Sequence, residues 1–160
     1  MIKLDNRDMQ ILSILQSDGR ITKSELAARI NLSPAPCWER LKRLEQAGII
    51  EGYNAKLSPK AFGPLSVIFM QIELSSNNKD VINVFEDKIS KTPEVVECWS
   101  VCGGIDYMLK IICKDIICYD RIVKKIIDED VGIHKYFAYI VIKAVKNSPY
   151  LPISDLKNIV

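Results

Sequence analysis

"SPAPCWERLKRLEQAGII", residues 33–50, opens on a serine and two prolines and closes on a glycine followed by two isoleucines. Ser33 ahead of Pro34 reads as a helix N-cap. A proline at the first helical position loses no hydrogen bond there and already holds a helical φ. Pro36 still falls in the first turn. Cys37, Leu41 and Leu44 recur at i, i+4 and i+7 and make an apolar face. Trp38, Glu39, Lys42 and Arg43 are left on other faces, with Arg40 at the edge. Gly48 is the expected stop. Ile49 and Ile50 are expected to begin a strand, and Gly52-Tyr53 to make the turn of a short wing.

Two more helices are expected upstream. In LDNRDMQILSILQSDG, residues 4–19, Asp5 is an N-cap with Asp8 three positions on, Ile11, Leu12 and Leu15 share a face, and Gly19 is the stop. Thr22 and Glu25 have capping-box spacing ahead of Leu26, Ala27 and Ile30. The second and third helices are joined by the tight INLS, and the third carries an exposed polar and basic face. That is the sequence form of a helix-turn-helix. An ordinary three-helix bundle with a solvated face reads the same way, because Glu39 and Glu45 accompany the cations. Caps and periodicity leave both open.

Downstream the period changes. LSVIFMQIEL, residues 65–74, alternates as a half-buried strand, and DVINVFEDKI, residues 80–89, has helical spacing. VVECWSV and YMLKIIC are strand-like runs on either side of CGGID, residues 102–106, a hairpin-length turn. DIICYDRIVKKIIDED, residues 115–130, reads as a helix, and IHKYFAYIVIKAV, residues 133–145, as a long strand. The order β-α-β-β-α-β is a ferredoxin-like layout, with helices on one face of an antiparallel sheet. Its other face would carry Phe69, Trp99, Met108 and Tyr139. Apolar patches of that kind usually mark association, so a second copy is the expected cover. The class is α+β, with an N-terminal three-helix domain at 1–63, a helix-turn-helix with a short wing or a plain bundle, and a βαββαβ domain with a C-terminal tail at 64–160.

The composition, 48% hydrophobic and 26% charged, is that of an ordinary globular chain. No apolar run approaches the length of about 20 residues needed to span a bilayer. MIKLDNRDMQ lacks the apolar core of a signal peptide, so a cytoplasmic location is expected. Five cysteines without a C-x-x-C speak against a zinc site or disulfide framework, and His134 has no evident partner for acid-base work. No metal site, cofactor or catalytic residue is expected, and the chain does not read as an enzyme. A net charge of only +2 means that any nucleic-acid contact must rest on local positive charge.

The segment LDNRDMQILSILQSDGRITKSELAARINLSPAPCWERLKRLEQAGIIEGYNAKL, residues 4–57, and VCGGIDYMLKI, residues 101–111, resemble the Lrp/AsnC (leucine-responsive, feast/famine) transcriptional regulators, and the layout agrees along essentially the whole chain. The resemblance implies a winged helix-turn-helix for DNA and a RAM-type βαββαβ domain that dimerises and senses an amino acid. The helix-turn-helix then runs from Ser24 to Arg43, with Ser33 to Arg43 as the recognition helix. Ala35, Pro36, Trp38 and Glu39 would lie near base edges, and Arg40, Lys42 and Arg43 on phosphates, with Ser24 and Ser33 completing the surface. Trp38 packed beneath its helix is the other reading of that residue.

The family's G-x-x-D segment matches Gly103 and Asp106, which puts Cys102, Gly103, Gly104, Ile105, Asp106 and Tyr107 beside the effector cleft. Glycine-turn N–H groups suit a carboxylate and Asp106 an ammonium; a tight hairpin with Asp106 bonded to its own backbone is the alternative. Cys102 and Phe137-Ala138 stand where many relatives carry threonine. The PCW-x-RLKRLE run looks most like a branch linked to sulfur amino acids, which makes cysteine the candidate effector.

These readings imply a nucleoid-associated homodimer, or an octamer of four dimers, on a pseudo-palindromic operator. The competing function is a metabolite-binding oligomer whose winged helix contacts protein instead of DNA.

Overall fold

The computed structural model describes residues 2–127 and 131–153. The chain forms two compact units, Met1–Lys56 with Asn147–Val160, and Leu57–Lys146. This division differs in two places from a cut after residue 63: residues 57–63 go with the sheet, and the tail goes with the helices. The tail is held there by Gln16, whose Oε1 accepts the Leu151 N–H at 2.7 Å while its Nε2 donates to the Leu151 carbonyl at 3.2 Å.

The first unit contains α1 (Asn6–Ser17), α2 (Lys23–Arg29) and α3 (Pro34–Gln46). Asp5 and Asp8 close the full capping box on α1. Only half of the box expected on α2 forms. Thr22 Oγ1 accepts the Glu25 N–H, but the Glu25 carboxylate turns to Arg29, 2.7 Å away and one helical turn on. Asn31, in the left-handed region at φ 52°, carries the chain from α2 into α3. Ile11, Leu26, Ala27, Ile30, Cys37, Leu41 and Leu44 form the core, with Leu12 and Leu15 packed against it.

The Ser33 hydroxyl, expected to cap α3, makes no cap hydrogen bond. The physical reason lies in the prolines: they remove the N–H at the first and third helical positions, and a cap accepts from the second or third. At the other end Gly48 takes φ 69° and donates to the Glu45 carbonyl, while Ile49 donates to that of Leu44, each at 3.0 Å. This Schellman closure also draws the Ile50 N–H to Leu44. Both isoleucines thereby spend the donors a strand would need, and the strand expected to start there is absent: residues 49–58 hold no strand.

The second unit runs from a 3₁₀ turn at Pro59–Phe62 through β1 (Ser66–Leu74), α4 (Lys79–Ser90), β2 (Val95–Ser100), β3 (Tyr107–Cys113), α5 (Ile116–Ile127) and β4 (Ile133–Ile140). Expected positions 128–130 of α5 lie outside the described residues. The sheet order is β2-β3-β1-β4, all antiparallel. β4 stops short of residue 145 because Val141 already bonds Val67, near the start of β1. Alternation sends Ile68, Met70, Ile72 and Leu74 of β1 and Tyr107, Leu109 and Ile111 of β3 to the helix side. There they bury against Phe85, Ile89, Ile122, Val123 and Ile126. A side chain as fully buried as Phe85 contributes about 1.5–3 kcal/mol.

The opposite face pairs Phe69 with Tyr139 and Trp99 with Met108 across strands. Trp99 is 44% and Tyr139 52% exposed. Glu97 and Lys110 pair at 2.6 Å on the same face. Among the described residues no helix is long and apolar enough to cross a membrane.

Candidate nucleic-acid interface and ligand loop

With Cys37, Leu41 and Leu44 buried, α3 turns Ala35, Trp38, Glu39, Lys42 and Arg43 outward, beside exposed Ser33 and partly covered Pro36. Ser24 is exposed on α2. Trp38 is 40% exposed, so it does not pack beneath its helix. The Lys23 ammonium lies over the Trp38 ring, 3.1 Å from its centroid. Lys23 had no signal in the sequence beyond standing at the start of a helix.

Arg40, expected at the edge of α3 and on phosphate, is tied to the first turn of α1. Its Nη1 donates to Asp5 Oδ2 at 2.6 Å and to Asp8 Oδ1 at 2.9 Å, and its side chain is only 29% exposed. Two carboxylates already occupy the position assigned to phosphate. Arg43 Nη2 donates to Asp8 Oδ2 at 2.6 Å, yet its side chain stays 48% exposed. The neighbouring carboxylates push the Arg40 pKa up. The Asp8 N–H donated to the Asp5 carboxylate, with help from Arg40, holds Asp5 down at about 2 against an ordinary 3.8. Asp5 and Asp8 read as capping residues in the sequence. Their second role shows only once α1 and α3 are packed, although Arg40 and Arg43, at i and i+3, mark one edge of α3.

In the second unit Gly103, Gly104, Ile105 and Asp106 line a cleft of about 330 Å³ with Glu73, Leu74, Ser75, Ser76 and Asn77. Asp106 is pinned across to β1. Its Oδ2 accepts the Leu74 N–H at 2.7 Å, and its own N–H donates to the Ile72 carbonyl at 2.9 Å. The side chain therefore bonds the neighbouring strand, not its own hairpin. Cys102 is exposed and does not line this cleft. Tyr107, expected beside it, belongs to the core: it is 4% exposed, its ring centroid is 4.7 Å from that of Phe85, and its hydroxyl donates to Glu86 Oε1 at 2.6 Å. As the first residue of β3 it falls on the helix-facing side of the pleat. Burial and the Glu86 carboxylate push its phenol up to about 12.

The two units correspond to two known domain families, the second of which extends beyond Lys146 into the tail. The winged helix-turn-helix DNA-binding family matches residues 4–51, and the Lrp/AsnC ligand binding domain matches residues 67–151. The chain is 48% identical to the transcriptional regulatory protein DoeX of Halomonas elongata, over 97% of this chain and 99% of that one. It is 38% identical to the leucine-responsive regulatory protein of Escherichia coli, over 94% of this chain and 92% of the relative. Among solved structures, an AsnC family transcriptional regulator from Agrobacterium tumefaciens superposes with a TM-score of 0.89 at 30% identity, covering 96% of this chain and 99% of that one. A transcriptional regulator of Neisseria meningitidis in complex with L-Met superposes at 0.88 and 34% identity, covering 99% and 100%. A helix-turn-helix with an outward polar helix, joined to this sheet and matched by these relatives over 94–97% of the chain, makes the chain a member of the Lrp/AsnC family of DNA-binding transcriptional regulators.

Proposed function

We propose that the protein works in the cytoplasm, at the nucleoid, as a homodimeric regulator of amino-acid metabolism that binds a pseudo-palindromic operator. The observation that carries this is the outward face of α3, where Trp38 and Lys42 stand exposed while Cys37, Leu41 and Leu44 hold the helix from behind. Ala35, Pro36, Trp38 and Glu39 read base edges. Ser24, Ser33, Lys42 and Arg43 meet phosphates, and Arg40 supports the helix from within. Ser33 suits phosphate because its hydroxyl makes no cap bond. A second copy covers Phe69, Trp99, Met108 and Tyr139, setting two recognition helices on half-sites about one helical turn apart. Four such dimers make the larger assembly.

The cleft at Gly103–Asp106 takes a free amino acid. Loop N–H groups meet its carboxylate, and Asp106 Oδ1 meets its ammonium, since Oδ2 is held by Leu74. Cysteine is the effector to test first, with methionine beside it because a solved relative carries L-Met.

The test is retention of a duplex selected from a random pool, titrated with salt. Each phosphate contact adds about 0.9 to the slope of log affinity against log salt, so a steep slope is expected. A flat one, with amino-acid binding preserved, favours a ligand-binding module whose winged helix contacts protein.

A further inference from the structure

Asp8 is a fully buried charge: its side chain is 0% exposed. Its carboxylate accepts from the Asp5 N–H at 3.0 Å, from Arg40 at 2.9 Å and from Arg43 at 2.6 Å. Asp5, whose side chain is 51% exposed, takes Arg40 as well. Two guanidinium groups on successive turns of α3 are thus tied to the first turn of α1 and matched in charge by two carboxylates. Lys42, exposed on the outward side of α3, makes no ion pair among the described residues.

Resting on the reading that α3 faces DNA, we propose that Asp8, seconded by Asp5, is a specificity-determining positioning residue of the DNA-reading surface. It sets the roll of α3 about its axis, withholds Arg40 from phosphates and holds Arg43, tethered but half-exposed, to the phosphate that its bond to Asp8 lets it reach. Phosphate contacts carry no sequence information, so two unrestrained arginines on a recognition helix would strengthen binding to every duplex alike. Restraining them leaves base-edge contacts a larger share of the discrimination.

Asp8→Asn keeps the shape and removes the charge. Affinities are measured for a duplex selected from a random pool by the wild-type protein, and for a mixed-sequence duplex of equal length. Binding to the mixed duplex is expected to rise about threefold, with a salt slope steeper by about one for each phosphate newly engaged. Binding to the selected duplex falls, so the ratio of the two drops by about tenfold. A merely structural role would reduce the active fraction and move both affinities by the same factor; that result, or an unchanged ratio, overturns the proposal. Should Asp8→Asn fail to fold, the half-exposed site supplies Asp5→Asn, for which a ratio lowered about threefold is expected and an unchanged ratio is decisive against it. A wild-type protein that retains neither duplex removes the DNA reading itself, and this assignment with it. Retention of both by the wild type with no change in ratio removes this assignment alone.

Discussion

Lys23 of α2 and Trp38 of α3 form a cation–π pair, with the ammonium 3.1 Å from the ring centroid. Both residues are exposed, so the pair links the two helices of the DNA-reading motif on their outer side. Exposed pairs of this kind contribute about 0.5–1 kcal/mol. Lys23→Ala and Trp38→Leu, combined in a double-mutant cycle on affinity for the selected duplex, are expected to be non-additive by about that amount. Strict additivity would mean that the pair plays no part once DNA is bound.

Arg40 and Lys42 carry the same charge and differ in surroundings, so their variants separate. Lys42→Ala is expected to lower the salt slope by about 0.9 while leaving the urea midpoint in place. Arg40→Ala leaves the buried Asp8 with one partner fewer and is expected to cost about 1–3 kcal/mol, with the slope unmoved. A lower slope for Arg40→Ala would return that residue to the phosphate contacts.

Asp106 has both a structural bond and a proposed ligand contact. Asp106→Ala strips the acceptor from the Leu74 N–H and should cost about 1–2 kcal/mol in denaturant unfolding, with loss of amino-acid binding. Asp106→Asn retains an acceptor for Leu74 but no charge for an ammonium. It is expected to recover stability and not binding in calorimetric titration with cysteine or methionine; recovery of both would dismiss the ammonium contact.

The Asp5 carboxyl, depressed to about 2 in the folded chain from an ordinary 3.8, contributes stability that is complete above 3.8 and lost as the pH falls toward 2. Tyr107 has the opposite sign: its phenol, raised to about 12 from an ordinary 10, contributes stability that is complete below pH 10 and lost as the pH rises toward 12. Thermal melts across both windows check this. Asp5→Asn should flatten only the acid limb, and Tyr107→Phe only part of the alkaline one, where Tyr53 is raised to about 12 as well.

Gly132 sits at φ +73°, and a Cβ there would lie 2.4 Å from Val81 Cγ1. Gly132→Ala therefore adds an unfavourable backbone region to a clash, with an expected cost of about 1–3 kcal/mol from the backbone alone. Val81→Ala in the same chain should relieve the clash but not the backbone cost, so the melting temperature of the double variant is expected to recover in part.

Capping and alternation made most of the elements legible. Asp5 and Asp8 announced α1, Ser33-Pro34 the start of α3 and Gly48 its end, and strict alternation separated Ile68, Met70 and Ile72 from Phe69. These signals act over one to four residues, the range of a helical turn or a strand repeat. Where local rules competed, reading them singly misled. The prolines that favour a helix start also removed one of the two donors Ser33 could have capped, and the glycine closure of α3 took the N–H groups that Ile49 and Ile50 needed for a strand.

The loop at Gly103–Asp106 was recognisable by its composition and YMLKIIC already began a strand at Tyr107, but the helix-facing side that Tyr107 takes was decided by the pairing of β3 with β1.

By itself the sequence determined the element order, the apolar faces and the outward position of Lys42, because each depends on neighbours along the chain. Only the tertiary structure decided that Arg40 and Arg43 answer to Asp8, 32 and 35 residues away, that Asp106 is held by Leu74 of β1, and that Leu151 bonds Gln16 of α1. A charged or polar group bonds whatever partner packing brings within about 3 Å, and that partner's distance along the chain leaves no local periodic trace.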